Sequence, residues 1–166
     1  MLKKDAIYLT DTEADFPWLH QCRFAASCFL AETVEETGVV RLTKASDPSD
    51  YARCFHVFLA HTLKQPQPLP SARLAVDIRE AVRKQRQQRS DSFRQKPFRQ
   101  LLTFSLSALK VLGRLREDPL EDLVEEQLLD YSNDKLKQLG CLDGRAGSGN
   151  QAMFMAIFLI HARDYL

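Results

Sequence analysis

Residues 97–116 read PFRQLLTFSLSALKVLGRLR. Pro97 marks a boundary, and from 98 to 116 apolar side chains recur at Leu101, Leu102, Phe104, Leu106, Leu109, Val111, Leu112 and Leu115. That set wraps more than one side of a helix. A helix apolar on several sides is buried, so this stretch predicts the central element of the fold.

Helical signals repeat on both sides of it. Upstream, Asp15-Phe16-Pro17 reads as a helix start, with Asp15 as cap and Pro17 in the first turn. Trp18, Leu19, Cys22, Ala25, Ala26, Phe29 and Leu30 follow at helical spacing, and Gly38 closes the stretch. Val39 to Leu42 is a short apolar run, read as an extended connector. Asp47-Pro48 predicts a second start, with Tyr51, Cys54, Phe55, Phe58, Leu59 and Leu63 as its apolar side. Residues 66–70, PQPLP, form a proline-rich internal linker. Ser71 caps a third helix with Leu74, Ile78, Ala81 and Val82 on one side.

Downstream, Asp118-Pro119-Leu120-Glu121 combines a cap, a proline and an acid. Leu120, Leu123, Val124, Leu128 and Tyr131 form one stripe, and a short helical piece around 134–139 ends at Gly140. The glycine-rich loop 140–150 leads into a last helix, where Ser148 and Gln151 are spaced as in a capping box. Residues 152–160 are apolar all round, which places them in the core or under a partner. The fold class read from this pattern is all-α: one domain over 1–166 with about six helices and one short extended segment.

Composition sets the outer limits. The chain has 166 residues, 45% hydrophobic and 27% charged, and a net charge of +1. Such a chain has enough apolar material for a core without disulfide or metal staples, and is too apolar for disorder. Its longest apolar run is nine residues against the roughly 20 of a membrane span, and the N-terminus has no secretory core. Cys22, Cys28, Cys54 and Cys141 are irregularly spaced and mostly lie in apolar helical patterns. They read as reduced thiols of a cytoplasmic protein.

The charge is segregated. Residues 73–116 hold twelve basic and three acidic side chains, and 117–143 hold nine acidic and two basic. These give +9 followed by −7. Residues 83–92 have no apolar member, and Arg79, Arg83 and Arg86 fall on one helical stripe. Forked guanidinium donors suit phosphates and carboxylates. Phe93 and Phe98, among Arg94, Lys96 and Arg99, could stack on unpaired bases. The candidate binding residues are therefore Arg79, Arg83, Lys84, Arg86, Arg89, Arg94, Lys96 and Arg99. The partner is nucleic acid, an acidic protein surface, or the acidic helix around Leu120 in the same or a neighbouring copy. A solvated charged face is the plain alternative.

Chemistry is sparse. The 144–150 loop offers Arg145, Ser148 and Asn150 at a helix N-terminus, a candidate anion or nucleotide site. Yet it lacks the lysine of a Walker loop and the strand of a dinucleotide fold. Ser148, His161 and Asp164 could form a triad only on paper, since 148 and 161 lie about 20 Å apart along one helix. His20, Cys22, Cys54, His56 and His61 include ligand types, but their spacing does not bring them round one zinc. No catalytic group and no cofactor is assigned. The sequence thus predicts a helical accessory subunit of a larger assembly, working through its basic helix. A self-associating protein is the alternative, and an anion-binding enzyme the second.

Overall fold

A computed structural model describes residues 16–35, 37–67, 69–88, 96–129 and 148–164. Among the described residues the fold is all-α, with six helices and no strand longer than an isolated bridge. They are α1 (Pro17–Glu32), α2 (Asp50–Thr62), α3 (Ser71–Gln88), α4 (Lys96–Val111), α5 (Glu121–Leu129) and α6 (Ser148–Ala162).

The central helix is α4, as its apolar wrapping requires. It packs against α2, α3 and α6, while α1 rests chiefly on α2. Phe98, Leu101, Leu102, Leu106, Ala108 and Leu109 of α4 are all buried. Around them lie Cys54 and Val57 of α2, Leu74, Ile78 and Val82 of α3, and Phe158 and Ala162 of α6. Leu120, Leu123 and Val124 anchor α5 in the same cluster. On one flank the Phe104 ring meets Tyr51, Phe55, Phe58 and Phe154, with centroids 5.3–6.3 Å apart. Such edge-on and tilted contacts are the favoured aromatic geometry.

Boundaries differ from the sequence pattern where a side chain finds a better use. The α4 helix stops at Val111 rather than running to 116. Gly113 takes φ +71°, its N–H meets the Lys110 carbonyl, and Arg114 N–H meets Leu109 O at 2.9 Å. That is a Schellman stop, and it turns Leu115 back into the core. The second helix starts at Asp50 rather than at Pro48, because the preceding chain is pinned elsewhere. Val34 bridges Val40 and Arg41 bridges Pro48, so the chain at 40–41 is held between two isolated bridges and then turns at 43–46. Ser49 precedes the helix in extended conformation without a side-chain cap. Asp118 does not cap α5 either: it sits at φ +43° and turns its carboxylate to Arg83. Ser71 lies inside the first turn of α3, where Leu74 N–H bonds Pro70 O.

Two helices face outward more than periodicity suggests. Of the described side chains in α1, only Leu30 is buried; Trp18 is 57% exposed and Phe24 73%. In α2 the buried side is Ala52, Cys54, His56, Val57 and Ala60, so Phe55 turns outward. The last helix divides its apolar residues between two environments. Phe154, Phe158 and Ala162 enter the core, while Met153, Leu159 and Ile160 remain exposed. No described helix is long and apolar enough to cross a membrane. Asp15, the 134–139 piece and residues 140–147 of the glycine-rich loop lie outside the described residues.

Candidate functional site

The basic stripe of α3 does not stand in open water. Arg79 is buried, and its Nη2 donates to the Arg114 carbonyl at 2.5 Å. Its side of the helix also carries Ile78 and Val82, so the stem packs inward and the head meets the loop after α4. One turn on, Arg83 makes a two-pronged bond to Asp118, at 2.9 and 3.0 Å. This pairing holds the Asp118 carboxyl below, and the Arg83 guanidinium above, their ordinary values. Arg86 reaches Glu126 of α5 at 2.8 Å. Arg114 joins the same seam through Glu117 at 2.6 Å and Ser71 at 3.3 Å. The +9 and −7 stretches therefore meet within one molecule, along the α3–α5 seam.

The other basic candidates separate. Lys84 is exposed and faces a polar groove of about 470 Å³ between α2, α3 and the connector. Its walls include Arg53, Arg73, Asp50, Asp77 and Glu80. Arg73 ties the groove's two sides together, donating to Thr37 O at 2.9 Å and approaching Asp77 at 3.8 Å. Arg99 is buried in the first turn of α4. Arg89, Arg94 and the Lys96 side chain lie outside the described residues. So do Arg145 and the Ser148 side chain of the candidate anion site, which leaves Asn150, exposed at the start of α6.

Two contacts that no spacing pointed to join histidines to hydroxyls. His56 Nε2 lies 2.9 Å from Thr33 Oγ1, and His161 Nε2 lies 2.8 Å from Ser107 Oγ. His161 thus meets Ser107, 54 positions away in the sequence. Ser107 Oγ donates to Thr103 O at 3.0 Å. With its hydrogen on that carbonyl the hydroxyl accepts from the ring, and the pair bridges α4 and α6. Asp164 pairs with Lys110 at 2.6 Å instead of orienting the imidazole. Among the described residues no three of His, Cys, Asp and Glu converge as metal ligands would. Cys54 is buried, and burial pushes its thiol up to about 12.

The other notable surface is apolar. An open groove of about 390 Å³ runs between the last turn of α1 and α2, lined by Phe29, Leu42, Phe55, Phe58 and Leu59. Phe24 stands exposed on the same helix as Phe29. The signal for this surface in the sequence was a surplus: α1 and α2 carry more aromatic residues than one buried side of each can hold. Compared with known proteins, the chain matches no family model, no curated protein and no solved structure.

Proposed function

We propose that this chain is a helical accessory subunit of a larger assembly, held there by its apolar flank. The observation that supports this reading is α1. It is a helix of 16 residues that buries one described side chain and leaves Trp18, Phe24 and Phe29 exposed, with Phe29 also lining the α2 groove. The contiguous part of this surface is the groove of Phe29, Leu42, Phe55, Phe58 and Leu59, and contiguous exposed apolar surface marks a protein contact. The partner is another protein chain that offers apolar side chains to this flank.

The test is native size. The tagged chain, isolated from its own cells, should elute in a complex well above its 19.0 kDa. Phe24→Asp and Phe55→Asp change exposed positions and should release a folded monomer. A wild-type chain that elutes alone, or variants that stay in the complex, would remove this reading.

A second reading keeps the basic region as the contact for an acidic protein surface or nucleic acid. Lys84 favours it, being exposed with no hydrogen bond or ion pair among the described residues. The carboxylate partners of Arg83 and Arg86 favour an acidic protein over a phosphate backbone. Binding measured against salt separates the two, since phosphate contacts release counterions and give a steep slope. Self-association through basic and acidic seams predicts a dimer at low salt that dissociates at high salt.

A further inference from the structure

Two helices that expose apolar side chains, α1 and α6, are fastened by the same device. Thr33, which ends α1, donates its hydroxyl hydrogen to Phe29 O at 2.6 Å, and Ser107 of α4 donates to Thr103 O at 3.0 Å. Each hydroxyl has one hydrogen, and the carbonyl takes it. The oxygen can then only accept from the ring beside it. With the hydroxyl hydrogens on those carbonyls, the neutral rings carry their proton on Nε2 and leave Nδ1 bare. In both rings Nδ1 is buried and has no hydrogen-bond partner. A neutral ring leaves only an idle lone pair there. A second proton would put an N–H donor and a charge at a buried atom without a hydrogen bond, offset at His56 only by the nearby Arg41 backbone and at His161 by Asp164.

The surroundings give each ring little relief. His56 is almost wholly enclosed. The Phe29 ring of α1 lies 5.7 Å from it, and no charged side chain contributes; only the Arg41 backbone favours its charged form. The Arg41 guanidinium is held by Glu35 at 2.6 Å. His161 feels Lys110 of α4 and Asp164 at the end of its own helix, which act in opposite senses and pair with each other. Burial is the largest influence on both rings and holds both below the ordinary imidazole value.

We infer that His56 and His161 are paired pH-sensitive latches, closed when neutral, which loosen α1 from α2 and α6 from α4 when their rings take a second proton. The sign follows from linkage. The released rings bind protons more readily than the docked ones. Stability is therefore fully present above about pH 6.5 and is lost as pH falls through the docked value. Within that window the opening constant rises about tenfold per pH unit for each ring. The first helix opens first. Beyond its latch, Leu30 and a Ser27–Gln65 bond of 2.9 Å help hold it, whereas Phe154, Phe158 and Ala162 root α6 in the core.

Hydrogen exchange at pH 7.5 and pH 5.0, corrected for intrinsic rates, tests this on the full chain. Protection in α1, and to a smaller extent α6, should fall several-fold on acidification, with α3 unchanged. Glutamine keeps an Nε2–H donor but does not titrate, so a His56→Gln, His161→Gln variant should show almost none of this loss. Equal loss in the variant, or equal loss in α3, overturns the inference. If the variant does not fold, the wild-type rings are titrated by NMR. Both should titrate below the ordinary imidazole value, with α1 and α6 amides shifting in step. Rings that titrate at or above that value overturn it too.

Discussion

The same truncation made at two phenylalanines should have opposite consequences. Phe98 is 1% exposed at the start of α4 and belongs to the central cluster. Phe98→Ala removes a buried ring and leaves a cavity that the surrounding leucines can only partly close. Such changes cost about 3–5 kcal/mol, a large share of the roughly 5–15 kcal/mol that holds a domain together. Phe24 is 73% exposed on α1. Phe24→Ala removes little buried area and should stay within about 0.5 kcal/mol of wild type. Urea unfolding followed by circular dichroism reads both. With a slope of about 2 kcal/mol/M, the Phe98 variant should unfold about 1.5–2.5 M earlier. The Phe24 midpoint should barely move. If Phe24→Ala cost more than about 2 kcal/mol, α1 would be packed inward and the uncovered flank would not exist. A Phe98→Ala loss under about 1 kcal/mol would refute the central place of α4.

Three further outcomes follow from local geometry. Gly38 sits at φ +85°, and a Cβ there would lie 2.8 Å from Arg73 Nη2; Gly113, at φ +71°, has nothing within 4 Å of that position. Thermal melts should therefore rank Gly38→Ala as the more damaging. Gly113→Ala should cost only the backbone strain of about 1–2 kcal/mol. Iodoacetamide at pH 8, read by mass spectrometry, should modify exposed Cys22 and spare Cys54, whose buried thiol is pushed up to about 12; comparable labelling of both would contradict this. A double-mutant cycle on Arg86 and Glu126, whose side chains are 29% and 45% exposed, should give at most about 1 kcal/mol of coupling that shrinks with salt.

The central helix was legible because Leu101 to Leu109 repeat on several sides, and only burial makes sense of that. The stop at Gly113 was less so, since Leu115 prolongs the helical rhythm while lying in a turn. Asp118 illustrates a competition that local signals cannot resolve. An aspartate before proline reads as a helix cap, but a guanidinium 35 positions earlier takes the carboxylate. Arg79 followed the same logic in reverse: a basic stripe looks solvated until a carbonyl from the α4–α5 loop meets it. The latches were hidden because Thr33 and Ser107 acquire meaning only from histidines that helix packing brings to them. Trp18 and Phe29 matched an amphipathic pattern without a core to receive them, since α1 has little beyond α2 to lean on.

The most direct measurement uses Trp18, the chain's only tryptophan. Its emission and acrylamide quenching are compared between the isolated chain and the same chain in its native-mass complex. An uncovered apolar flank predicts a water-exposed, fully quenchable Trp18 in the isolated chain, and a blue-shifted, shielded one in the complex. A Trp18 already shielded in the monomer, or equally open in both, would contradict the account.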